Sequence, residues 1–166
     1  LIGAGLCRKN AEVILITKKS LSIRFPVEDV RVMHRQARGV KGIKLSSDDC
    51  VVGMVVLAED IIDKDFYLLT ATKKGFAKRT HIKEYRRQSR GGKGIINIKI
   101  TERIGEVIGV VLVAEDDEVM CITEKGILIR LRVKEVRETK RGTQGVKIIN
   151  LKEKDNLASL TRIVSQ

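Results

Sequence analysis

Three stretches of this chain combine glycine, arginine and lysine in a way suited to holding an anion. They read Gln36-Ala37-Arg38-Gly39-Val40-Lys41-Gly42-Ile43, Gln88-Ser89-Arg90-Gly91-Gly92-Lys93-Gly94-Ile95 and Lys140-Arg141-Gly142-Thr143-Gln144-Gly145-Val146. Glycine lets backbone N–H groups approach a phosphate closely, and flanking cations supply charge. The middle stretch is the most complete, with Arg90 and Lys93 on either side of Gly91-Gly92. That layout predicts backbone N–H groups and two cations converging on phosphates. None of the three ends in the Lys-Ser or Lys-Thr of a nucleotide-binding P-loop. Turnover chemistry has little support. His34 and His81 are the only histidines, and neither stands at a readable spacing from a nucleophile and an orienting carboxylate. Cys7, Cys50 and Cys121 show no zinc spacing with them. Tyr67 and Tyr85 lie on or beside expected strands and read as structural or phosphate-facing.

The elements that must carry these stretches repeat along the chain. Thr17-Lys18-Lys19-Ser20-Leu21-Ser22-Ile23-Arg24 aligns with Thr72-Lys73-Lys74-Gly75-Phe76-Ala77-Lys78-Arg79 and with Thr123-Glu124-Lys125-Gly126-Ile127-Leu128-Ile129-Arg130. Each follows a β-rich run, so each predicts a hairpin whose turn needs a positive φ. A glycine stretch follows each hairpin, and its last glycine falls at 42, 94 and 145. An apolar strand closes each unit: Val51 to Leu57, Val107 to Val113 and Leu157 to Val164. One unit is therefore about four strands in roughly 51 residues, the size of a propeller blade. The expected units are 11–57, 65–113 and 118–164, with 1–10 the remnant of a preceding strand, in a single repeat-built domain or domain fragment. Composition agrees with an all-β fold: the 166 residues hold 20 Ile, 18 Val and 9 Thr against 5 aromatics. No helical stretch stands out; residues 28–36 predict a turn or two.

Charge follows the same period. The chain carries 33 Lys+Arg and 21 Asp+Glu, a net charge of +12. Residues 18–44, 73–93 and 125–147 hold 25 of the basic residues and 5 of the acidic ones. The acids gather at Asp48-Asp49, Glu59-Asp60, Asp63, Asp65 and Glu115-Asp116-Asp117-Glu118. A fixed phase in a repeat maps to a fixed place on each blade, so the basic segments predict one continuous band with the acidic turns facing elsewhere. A band spread over three units suits a long polyanion. Only Phe25, Phe76 and Tyr85 lie within it, which disfavours stacking on single strands and favours duplex DNA held by its phosphates. The candidate contacts are Arg38, Lys41 and Lys44; Lys73, Lys74, Lys78, Arg79, Arg86, Arg87, Gln88, Arg90, Gly91, Gly92, Lys93 and Gly94; and Arg130, Arg132, Lys140, Arg141 and Lys147. Replacing Arg90 and Lys93 is expected to weaken DNA binding and leave stability nearly unchanged. An acidic protein partner is the rival reading of the same band.

Other bounds are brief. No apolar run approaches the ~20 residues of a membrane span. The first residues lack a basic leader and an initiator Met, which reads as a fragment or processed piece without a signal peptide. Three widely spaced cysteines predict buried thiols in a reducing cytoplasm.

The segment Gln88-Ser89-Arg90-Gly91-Gly92-Lys93-Gly94 resembles the glycine box of the DNA gyrase A C-terminal domain family, with Ser89 where that box has arginine. Lys78-Arg79-Thr80 leading to Glu84-Tyr85-Arg86 is similar to that family, as are Ala37 to Ile43 and Gly142 to Val146, so the likeness spans essentially the whole chain. The resemblance implies a β-pinwheel, a propeller-like ring of four-stranded blades that wraps duplex DNA for an ATP-driven core that introduces negative supercoils. It implies no catalytic residue and no cofactor in this chain, with ATP and magnesium elsewhere in the parent enzyme. It implies the rest of the gyrase A polypeptide and the gyrase B polypeptide as partners, and a cytoplasmic, nucleoid-associated setting. The C-terminal domain of the corresponding topoisomerase IV polypeptide is a similar but more degenerate alternative, and the well-formed box at Gln88 favours gyrase.

Overall fold

Antiparallel hairpins of β-branched residues organise the molecule, as a computed structural model covering residues 1–163 describes it. The strands are β1 (Glu12–Thr17), β2 (Leu21–Pro26), β3 (Val51–Leu57), β4 (Tyr67–Thr72), β5 (Phe76–His81), β6 (Ile95–Ile96), β7 (Val107–Val113), β8 (Glu118–Thr123), β9 (Leu128–Arg132), β10 (Val146–Lys147) and β11 (Leu157–Ile163). Val164, the expected last residue of the closing strand, lies outside the described residues. A one-turn helix, α1 (Glu59–Ile62), and three short 3-10 turns are the helical elements among the described residues. Residues 1–10 form no strand, which corrects the expectation of a leftover strand there. They run as exposed chain, and the positions of Gly3 and Gly5 lie against Met54 and Val56 of β3.

Three hairpins pair β1 with β2, β4 with β5 and β8 with β9. Each turn has its third residue at positive φ: Ser20 at 72°, Gly75 at 79° and Gly126 at 80°. Ser20 is the costly exception, since a side chain crowds the backbone there. Its hydroxyl donates to the Ile98 carbonyl at 2.6 Å and accepts from the Ile98 N–H at 2.7 Å, and these bonds hold the turn. A threonine opens each turn; Thr17 and Thr123 accept backbone N–H groups of Leu21 and Ile127 through their hydroxyls.

The first two sheets are four-stranded and the third is three-stranded among the described residues, and the fourth strand of each four-stranded sheet is not the unit's own. The strand orders are β3-β1-β2-β6, β10-β5-β4-β7 and β11-β8-β9. The glycine-rich segment of unit two therefore supplies β6 to the first sheet, and that of unit three supplies β10 to the second. Sequence periodicity predicts about four strands per unit, which units two and three have, whereas unit one has three because its glycine segment forms no strand. Periodicity also hides the exchange, because a period looks the same whichever sheet a strand joins. The exchange explains two box glycines. A Cβ on Gly94 would sit 2.5 Å from the Ser22 carbonyl oxygen, and one on Gly145 would sit 2.5 Å from that of Ala77. Both have φ near +75°. Only glycine admits the donated strand this close to its host.

On the inner side β7 packs against β3 and against β11, and β6, β10 and β9 form the outer edges of the three sheets. The apolar core fills the joints between sheets. Ile14, Leu57, Leu68, Ile82 and Ile98 meet between the first and second sheets, and Leu69, Val113, Val119, Val133 and Leu157 between the second and third.

Candidate nucleic-acid interface

Chain direction divides the molecule into two ends. The hairpin turns and the loops that follow the donated strands share one end. The 3-10 turns and the connections 58–66 and 114–117 share the other. Glu59, Asp60, Asp63, Asp65, Glu115 and Asp116 are exposed at that second end. Asp48 and Asp49 depart from the expected segregation. Asp49 accepts the Lys19 and Cys50 backbone N–H groups at 2.9 Å each, and Asp48 forms an ion pair with the Lys19 ammonium. These acids cap a hairpin turn because its free N–H groups need an acceptor. Asp155 does the same for Lys125, at 3.2 Å. Burial alone would raise the Asp155 carboxyl, but hydrogen bonds from the Thr123 side chain and from the Asn156 and Lys125 N–H groups hold it below the ordinary carboxylate range.

The expected contacts fall into three groups. Arg38, Lys41, Lys44, Lys74, Arg86, Lys93, Arg132, Lys140 and Lys147 are exposed and join no ion pair among the described residues. Lys41, Lys44, Lys93 and Lys147 lie on or beside the outer glycine segments, as the band requires. Lys73 is half-buried. Arg87 and Arg130 are exposed but paired, Arg87 to Glu12 at 3.8 Å and Arg130 to Glu118.

The second group consists of residues consumed in joining the units. Arg79 is 8% exposed. It donates to the Val136 carbonyl at 2.8 Å and to Glu115 at 3.0 Å, and it lies over the Tyr67 ring at 4.9 Å. Arg24 holds the same place in unit one; it pairs with buried Glu12 and donates to the carbonyls of Ile82 and Tyr85. These arginines clasp neighbouring sheets, so Arg79 is withdrawn as a DNA contact. Lys78 is fully buried and donates to the Lys140 carbonyl at 3.1 Å. Burial, with Arg141 nearby, lowers its pKa to about 8. It too is withdrawn, since an ammonium inside the joint cannot reach a phosphate.

The third group is the box, and here the expectation changes most. The Gly91 N–H donates to the Gly42 carbonyl at 2.7 Å, and the Gly142 N–H to the Asn97 carbonyl at 2.8 Å. Gly92 accepts from Lys44 N–H at 2.8 Å. Two of the N–H groups that would cradle a phosphate are thus already bonded within the protein. The box arginines follow suit. Arg90 donates to the carbonyls of Asp29 and Lys41, and Arg141 to those of Glu84 and Ile96. Gln88 anchors the segment through its N–H to the Arg24 carbonyl at 2.7 Å. The box is therefore mainly a strut, with Lys93 its outward charge. Arg103, Lys152 and Lys154, which no sequence motif singles out, are exposed near the outer strand β10.

The aromatic and thiol residues resolve in the same way. Tyr85 is buried and donates to Asn97 Oδ1 at 2.6 Å, and burial pushes its hydroxyl well above the ordinary range. Tyr67 is buried too, and burial raises its pKa. Both are structural. His81 is half-buried, with Nδ1 accepting from Lys83 N–H at 3.1 Å and Nε2 3.2 Å from Asp65. Cys121 is buried as expected, and burial raises its thiol pKa to about 11. Cys7 and Cys50 are exposed, against expectation, because they sit on the N-terminal chain and a surface loop. No group of three or more His, Cys, Asp or Glu positioned for a metal ion occurs among the described residues. No described helix is long and apolar enough to cross a membrane.

Exchanged outer strands, three in-phase boxes and an outward cationic edge describe a particular kind of domain. The family model for the DNA gyrase C-terminal domain, a β-propeller, matches residues 11–58, 67–114 and 117–163. The chain belongs to the DNA gyrase C-terminal domain family. It is 42% identical to the DNA gyrase A polypeptide of Kosmotoga olearia over 99% of its own length, and 43% identical to that of Klebsiella oxytoca over 98%. It spans 20% and 18% of those two relatives. A solved DNA gyrase A C-terminal domain superposes with a TM-score of 0.84 at 27% identity, covering 94% of this chain and 52% of that one. The C-terminal domain of a DNA topoisomerase IV shares the fold, with a TM-score of 0.85 at 22% identity over 93% of this chain and 47% of that one.

Proposed function

We propose that this chain is a non-catalytic module that binds and wraps duplex DNA for a gyrase A polypeptide. The observation that carries this reading is the row of unpaired cations along successive outer edges, Lys41, Lys44, Lys93 and Lys147, with exposed acids at the far end of the sheets. Phosphates are the component of duplex DNA that a sequence-blind cationic edge can grip. No recognition helix is present among the described residues, so the grip carries little base preference. Successive edges fan out with the sheets, so a duplex that follows them must curve. In the parent protein the module would serve strand passage with the rest of the gyrase A polypeptide and with gyrase B, where ATP and magnesium would act, on the bacterial nucleoid. Relatives at 42–43% identity that are gyrase A polypeptides favour gyrase over topoisomerase IV.

The test is a duplex-binding titration across salt. If about 6–10 phosphates are neutralised, affinity falls roughly 10³–10⁵-fold between 50 and 200 mM. A flat response overturns the reading and leaves an acidic protein partner as the occupant of the edge.

A further inference from the structure

We infer that the joint between the second and third sheets holds a phosphate-binding pocket separate from the glycine boxes. The pocket is a depression of about 290 Å³. Its lining carries Lys74, Arg103, Lys147, Lys152, Lys154 and one acid, Asp155. Asp155 is 3% exposed, and one of its oxygens is committed to the N–H groups of Lys125 and Asn156. None of the five cations forms an ion pair among the described residues, although the Lys74 ammonium donates to Asn156 at 3.2 Å. The Phe76 ring stands between two of them, with Arg103 5.4 Å and Lys147 5.8 Å from its centroid. That ring fixes both charges against an apolar wall, where screening by water is weaker.

Repetition alone does not produce this cluster. In the second sheet Phe76 faces Lys147 across the donated strand; in the first sheet Leu21 faces Ile96 at the same register. Lys74 corresponds to Lys19, which Asp48 neutralises. Lys152 corresponds by sequence to Thr101. Five cations converging on one cavity repel each other, and an anion with several acceptor oxygens relieves that repulsion where a neutral ligand cannot. The ligand is therefore a phosphate group. The source we favour is a DNA backbone phosphate, because Lys147 also belongs to the cationic edge, and in that respect the inference rests on the DNA reading above. The pocket would bring the duplex from the outer edge toward the hairpin-turn end at this joint.

The experiment compares the chain with two variants, R103A/K152A/K154A and K41A/K93A. The probes are a 30-bp duplex and inorganic phosphate, followed by binding titrations and by amide NMR shifts at Phe76 and Lys147. Both probes should move those amides. The pocket variant should abolish the phosphate response, weaken duplex binding about tenfold at 100 mM salt and lower the salt slope by at least about one. Melting temperature should hold, since the three side chains are exposed. As a second variant, Lys147→Ile installs the residue found at the first joint and should weaken both the phosphate response and duplex binding, since Lys147 serves the pocket and the edge. Loss of duplex binding in K41A/K93A with none in R103A/K152A/K154A overturns the pocket and leaves the DNA reading standing. A phosphate response without any duplex binding by the parent chain keeps the pocket as a site for free phosphate and sinks the DNA reading.

Discussion

Lys78 occupies the position that Ile23 and Ile129 hold in the other two hairpins, and it carries a charge into an apolar joint. Its folded pKa of about 8 lies below the ordinary 10.5. The folded state thus releases its proton first. Below pH 8 the cost of the buried charge is fully present; between about 8 and 10.5 the unfolded chain binds more protons, so stability rises with pH. Lys78→Ile should raise stability at pH 7 by about 1–3 kcal/mol. Denaturant melts at pH 7 and pH 10 check this, since the advantage should shrink at the higher pH. The box residues separate in a similar way. Arg90→Ala removes bonds to two carbonyls of the preceding unit and should cost about 1 kcal/mol of stability. Lys93→Ala should leave the melting temperature in place and lower the salt slope of DNA binding by about one. This replaces the expectation that both side chains are dispensable for folding. Sequence showed the right residue types at the right phase. It could not show which cation faces outward, because Arg90 and Lys93 differ only in whether carbonyls of another unit lie within reach.

The donated strand is the element on which the architecture turns. Its period was legible, as were the hairpins, because β-branched runs and Lys-Gly turns are local signals. Its destination was not, because pairing β6 with β2 joins residues some 70 positions apart. Gly94 and Gly145 mark that destination. Replacing either by Ala adds a Cβ 2.5 Å from a host carbonyl at positive φ. Each change should cost about 2–3 kcal/mol or more and should speed amide exchange at the host strand. Gly142→Ala, also at positive φ but with nothing within 4 Å, should cost only the backbone strain of about 1 kcal/mol. Thermal melts of the three variants rank them. Equal losses at Gly142 and Gly145 would show that conformation, not close approach, selects the glycine.

At the scale of the molecule, arginine clasps and apolar joints fix the sheets relative to one another, and so fix the path of the cationic edge. Arg24 and Arg79 each tie a sheet to the next through its 3-10 turn carbonyls. A rigid curved edge cannot straighten to suit a straight duplex; the duplex must bend to it. Smooth bending of 20–30 bp by 40–90° costs about 1–6 kcal/mol, which the phosphate contacts must offset. A central nick removes most of that cost without changing charge. The most direct measurement is therefore the ratio of affinities for an intact 30-bp duplex and the same duplex nicked at its centre, in one buffer. Tighter binding of the nicked duplex, by about fivefold or more, is the predicted result. Equal affinities would mean that the duplex docks straight, and a DNA-bending edge would be contradicted.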